Sequence, residues 1–204
     1  MKKRFISITV SIYLLSIILL LSGCTSIFKK PGNVQPVAQS ERVENQDVIL
    51  TFVYMDKETL IQLHGRHDNP FLPPPAVITP YTFYTFSVTI QAKTDIYIPM
   101  STSIMRFAGK NYKPSTHDSL NAFWKQVEED YATAQNRPDT SNYQELIRRN
   151  LMPSDIVIDA GESYTGYVVF LGSMPSAGDM KITVPVVSRA EEVAEKMDIL
   201  FTFE

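Results

Sequence analysis

Cysteine is almost missing from this chain: Cys24 is the single one in 204 residues. No internal disulfide can form, so any fold must be held together by its core alone. Glycine is scarce too, at eight residues, and none of it is arranged as the glycine-rich loop that cradles phosphate groups. No Gly-x-Ser-x-Gly occurs, which removes the exposed serine of a nucleophile elbow. Runs of one charge sign are short. Arg148-Arg149 is too small a patch for nucleic acid. Glu128, Glu129 and Asp130 are consecutive, so on a helix they fan apart instead of converging as paired carboxylates must. These absences lead us to expect a protein that is not an enzyme and carries no cofactor.

What the chain does have begins at its start. Lys2, Lys3 and Arg4 precede Phe5–Leu21, an uncharged and mostly apolar run that ends in Leu21-Ser22-Gly23-Cys24. A basic start, an apolar stretch and small residues before a cut site form the pattern of a secretory signal. The competing reading is a retained membrane helix, because about 17 residues is the lower limit for a span. Ser22 and Gly23, small where a peptidase must fit the chain, and the cysteine directly after them favour cleavage. The quartet resembles the lipobox of bacterial lipoproteins, in which the cysteine thiol receives a diacylglycerol before the bond between Gly23 and Cys24 is cut. The resemblance implies export and a lipid anchor at Cys24, with acyl chains such as palmitate held in a cell-envelope membrane. Each buried methylene contributes about 0.8 kcal/mol, and stable attachment takes more than one chain. Thr25 stands where lipoproteins kept at an inner membrane commonly carry Asp, so the resemblance implies the outer membrane if the host has two.

Residues 1–23 hold three positive charges and no negative one, so their removal moves the net charge from −3 to −6. An acidic chain disfavours nucleic acid and anionic head groups as main partners. Residues 24–46, with two prolines and no sustained period, read as a flexible tether. Residues 47–204 read as one folded domain, since most of the chain's 10 Tyr and 11 Phe fall there and supply material for a core.

From Asp47 the pattern is that of strands. Val48–Tyr54 is β-branched and aromatic. In Thr82–Gln91, Tyr84, Phe86, Val88 and Ile90 alternate with Thr85, Ser87, Thr89 and Gln91, which predicts a half-buried antiparallel strand. Further strands are expected at Tyr97–Ile98, Ser103–Phe107, Ile156–Ile158, Ser163–Leu171, Lys181–Val187 and Asp198–Phe203, with a hairpin around Gly109-Lys110. About eight short strands with turn punctuation predict a mainly β chain folded as an antiparallel β-sandwich. One stretch breaks the pattern. Leu120, Phe123, Trp124, Val127 and Tyr131 recur at spacings of three and four, predicting a helix over Asp118–Gln135 capped by Asp118 or Ser119. Tyr143, Leu146 and Ile147 predict a second helix over Ser141–Asn150. Residues 115–152 are therefore expected as a helical insertion over an end or face of the sandwich.

Three pieces together resemble the immunoglobulin-like domain of many small bacterial lipoproteins, including the group called DUF4352. They are the strand Phe86–Asp95, the turn and strand Ile158-Asp-Ala-Gly-Glu-Ser-Tyr-Thr-Gly-Tyr-Val-Val-Phe170, and Met180–Val184 with the closing strand Ile199–Phe203. The resemblance covers about residues 82–203 and implies an immunoglobulin-like, non-catalytic module. It carries over no functional residue.

Two loops invite a functional reading. His64-Gly-Arg-His67-Asp68 places two imidazoles three residues apart beside a carboxylate, and His117 could add a distant third ligand. Gly65 and Pro70 punctuate this segment, which reads as a loop on which the two rings need not converge, and the Glu of a metalloprotease helix is missing. Asn69–Pro75 could present a polyproline II ligand or serve as a stiff connector between sheets. Trp124 and Tyr131, seven apart, read as core. The first expectation is a membrane-anchored, non-catalytic binding or structural module with a protein or envelope partner at the 64–80 loop or the insertion. The second is a metal-binding envelope protein using His64, His67 and His117.

Overall fold

In a computed structural model of the chain, the residues described are 34–66, 69–73, 82–131, 139–172, 177–190, 192 and 194–204. Gln35–Glu204 is one self-contained unit, with both sheets, the helices and both cores built from within it. Its strands are β1 (Ser40–Glu44), β2 (Val48–Tyr54), β3 (Thr82–Ala92), β4 (Ile96–Ile98), β5 (Ile104–Phe107), β6 (Lys110–Tyr112), β7 (Ile156–Ile158), β8 (Ser163–Gly172), β9 (Gly178–Ser188) and β10 (Ala194–Phe203). The helices are α1 (Lys57–His64), α2 (His117–Asp130) and α3 (Tyr143–Asn150).

Two antiparallel sheets form a sandwich. The first runs β1-β2-β3-β8; in the second, β9 pairs β10 on one side and β5 and β4 on the other, with β6 and β7 outside them. β3 lies beside β8 in the first sheet, while the chain crosses to the second for β4 and β5 and again for β9 and β10. The inner faces meet through aromatic rings. Phe86 of β3 lies 5.2 Å from Phe201 of β10, and Tyr84 lies 5.7 Å from Phe107 of β5, both between ring centroids. Such pairs add about 0.5–1.5 kcal/mol beyond the area that they bury.

The tether expected over 24–46 ends earlier than its composition suggested. Gln35 and Val37 bond to Glu204 and Thr202 beside β10, and the chain then crosses to pair β1 with β2. Ser40-Glu-Arg-Val-Glu44 is too charged to look like a strand. At a sheet edge those charges suit it, since they discourage further strands from adding. The β5–β6 turn also sits one residue earlier than expected. Ala108 (φ 49°) and Gly109 (φ 74°) are both left-handed, as a type I′ hairpin turn requires.

The first sheet has a second covered face. Even positions of β3 point into the sandwich, while Phe83 and Thr85 on the other side are buried under the helices. Half-burial therefore holds only for the Ser87–Gln91 end of β3. The outer core combines Leu60 of α1, Phe71, Phe83, Val169 of β8, Leu120, Trp124 and Val127 of α2, and Tyr143 and Ile147 of α3. Each such side chain, fully buried, contributes about 1.5–3 kcal/mol.

The insertion expected over 115–152 is present in its described residues, 115–131 and 139–152, and is tied down at both ends; residues 132–135 of the helix expected over Asp118–Gln135 lie outside the described residues. Ser115 N–H donates to Val169 O (2.7 Å) and Met152 N–H to Tyr167 O (2.8 Å), so its two stems close the free edge of β8. Gly166 lets the exit stem approach: a Cβ there would stand 2.8 Å from Met152 Cγ and 3.2 Å from Asn150 O. The cap of α2 is Thr116, not Asp118 or Ser119. The Thr116 hydroxyl accepts from Ser119 N–H (3.2 Å) while the Ser119 hydroxyl accepts from Thr116 N–H (2.8 Å), a reciprocal box that covers two otherwise orphaned donors.

Candidate functional site

The segment after β2 was not expected to be helical. Asp56 starts α1 by accepting Thr59 N–H at 2.7 Å, and Gly65 (φ 81°) ends it, its N–H returning to Ile61 O. Those were the signals available in the sequence: an acidic cap and a glycine stop enclosing Leu60 and Ile61. Leu60 then points down onto the outer face of the first sheet.

Asn69–Pro73 follows as a plug. Asn69 is almost wholly buried; its amide donates to Leu60 O (2.8 Å) and Gly65 O (3.4 Å), and its oxygen accepts Phe71 N–H (3.0 Å). Phe71 O accepts the Thr85 hydroxyl (3.2 Å), and Pro70 O accepts Trp124 Nε1–H (3.0 Å). This part of the proline-rich stretch is thus bonded inward to α1, β3 and α2, so it does not project as an extended ligand. Pro74 and Pro75 lie outside the described residues.

Between these pieces lies a cavity of about 490 Å³. Leu60 and Ile61 of α1 form one wall, and Leu72 and Pro73 of the plug another. Phe83 lies at the sheet, and Trp124 and Tyr143 close the side toward the insertion. The Trp124 and Tyr143 rings meet edge to face at 4.6 Å, which fixes that wall. Lys57 and Arg66, both exposed, supply the charge. Tyr54, at the end of β2, turns its ring the other way, into the sandwich against Phe86 and Phe203, where burial and then Asp56 and Glu58 push its pKa up. Among the described residues no acidic side chain lines the cavity. Trp124 is core, as its spacing predicts; that the same ring also walls a cavity depends on chain segments far from it.

The histidine reading changes. His64 closes α1 instead of sitting in a loop. Its Nε2 shares a hydrogen bond with the Tyr167 hydroxyl (3.0 Å), and its ring packs against Phe71 and Tyr167 at 5.5 and 5.6 Å. Burial holds its pKa below the ordinary value. These neighbours are aromatic and offer no second nitrogen or carboxylate. His117 stands in the first turn of α2, and His67 and Asp68 lie outside the described residues. Among the described residues no three His, Cys, Asp or Glu side chains gather as a metal site would need. Arg148 and Arg149 both bond Glu145, whose pKa they hold down to about 2, so this pair serves α3 itself.

Among the described residues no helix is long and apolar enough to cross a membrane. The apolar run 5–21, Gly23 and Cys24 lie outside them. No protein-family model matches the chain, and no curated protein or solved structure matches it.

Proposed function

We propose that this protein is a lipid-anchored envelope lipoprotein whose sandwich serves as a non-catalytic binding module. The Leu21-Ser22-Gly23-Cys24 quartet after a basic, apolar leader supports the anchor: Cys24 becomes the acylated N-terminus of an exported chain, at the outer membrane where the host has two. The likeness to small immunoglobulin-like lipoproteins fits that placement. The observation that carries the binding role is the cavity under α1, assembled where α1, the plug and the insertion cover the outer face of the first sheet. Loops and insertions carried on a rigid scaffold are the common seat of recognition.

The partner is a molecule or protein of the envelope that meets the α1–α2–α3 face. The test has two arms. Cells fed labelled palmitate should yield a labelled, membrane-bound protein, and Cys24→Ser should abolish both label and membrane recovery. Retention of either would overturn the anchor. For the binding role, crosslinking in intact cells from positions on the exposed side of α2 (Lys125, Glu129) should trap an adduct that the same probe at Glu41, on the far edge of β1, does not. Identical patterns from both sites would overturn it.

A further inference from the structure

The cavity beneath α1 also has a character that narrows its ligand, on the reading just given that this face is the binding surface. Its interior is apolar and aromatic: Leu60, Leu72, Phe83, Trp124 and Tyr143 line it. Its volume of about 490 Å³ suits a small ligand and is too little for a protein element. Among the described residues that line it, the charged ones are Lys57 and Arg66, in a chain that is acidic as a whole.

The polar groups near the cavity can be sorted by what already occupies them. Asn69 has both its oxygen and its amide committed to the backbone of α1 and the plug. The Asp56 carboxylate is turned to the start of α1, where it accepts Thr59 N–H. Trp124 Nε1–H is given to Pro70 O. Lys57 and Arg66 are left to face a ligand, and both donate. A guanidinium and an ammonium at the rim of an apolar pocket match a carboxylate on a hydrocarbon tail, since the fork of an arginine fits a carboxylate with two parallel bonds.

We infer that this cavity binds a single-chain apolar acid, its tail against Phe83, Trp124 and Tyr143 and its carboxylate at Lys57 and Arg66. A neutral chain of equal length loses the charged contacts, and a cationic one meets repulsion.

Trp124 is the only tryptophan in the chain and lies in the cavity wall, so its emission reports occupancy directly. Residues 35–204 are titrated with decanoate, decanol and decyltrimethylammonium below their aggregation limits. Decanoate should give a saturable change in emission, with decanol and the cation at least tenfold weaker. Lys57→Gln with Arg66→Gln should reduce decanoate to the level of decanol and leave decanol unchanged. Both side chains are exposed, and matching near-ultraviolet circular dichroism would show that the fold is intact. No saturable change with decanoate, equal binding of all three probes, or an unaltered double variant would each overturn the inference. Residues 35–204 lack Cys24, so failure here leaves the lipid anchor standing. Failure of the palmitate or crosslinking arms would leave decanoate binding standing in turn.

Discussion

Asn69 is a small residue with a large structural role. It lies buried between α1 and the plug, and its amide satisfies backbone groups of Leu60, Gly65 and Phe71 that would otherwise lack partners there. Asn69→Ala should destabilise the domain by about 1–3 kcal/mol, read as a lower urea midpoint at unchanged slope. His64 offers a test by pH. Burial lowers its pKa in the fold below the ordinary 6.5, so the unfolded chain takes up the proton first as the pH falls. Stability is therefore unaffected well above pH 6.5 and declines as the pH drops below it. The lowered carboxylates Glu44, Glu145 and Asp198 have ordinary values of 4.5 or below, and their contributions fade only in more acid solution. Urea midpoints at pH 7.5 and 5.5 should thus fall in the wild type, and His64→Gln should flatten most of that fall.

At the scale of elements, the helices show which parts of local structure are written locally. The apolar spacing of Leu120, Trp124 and Val127 announces α2, and its packing agrees. Its cap was misassigned because Thr116, Asp118 and Ser119 are all good cap residues; the chain direction leaving Pro114, which bridges Phe170, selects Thr116. Thr116→Ala should cost about 1 kcal/mol, measured by thermal or urea unfolding, whereas Asp118→Ala should cost less. Helix α1 was missed for a different reason. At eight residues with one fully buried side chain it carries a weak periodic signal, and its stability comes from the plug and sheet beneath it. Strand β1 was missed because edge strands are selected for charge, the opposite of what strand recognition seeks.

At the scale of the whole molecule, the lead-in at Gln35–Val37 and β1 join the second sheet to the first. A chain beginning at residue 47, the boundary suggested by composition, loses both pairings; one beginning at residue 35 keeps them. The shorter chain should melt about 5–10 °C lower, since several backbone hydrogen bonds at about 1 kcal/mol each disappear. The insertion is equally unsuited to removal. Deleting 115–152 would uncover Phe83, Val169 and Leu60 and unpair the edge of β8, so point changes on exposed positions are the sounder probe of its surface.

The β-branched and aromatic run of Val48–Tyr54, the alternation of Thr82–Gln91, the turns at Gly109 and Gly161 and the helical spacing of 118–131 are local properties. Each reflects the pitch of a strand or helix against an apolar layer, so the sequence by itself determined a sandwich with a helical insertion. The leader and its Leu21-Ser22-Gly23-Cys24 ending are likewise read from sequence alone. The second core and the cavity were decided only by tertiary structure. Leu60, Phe83, Trp124 and Tyr143 share no period, because they come from four elements. What brings them together is the anchoring of the insertion on β8 and of the plug on Asn69, and contacts of that range leave no pattern in neighbouring residues.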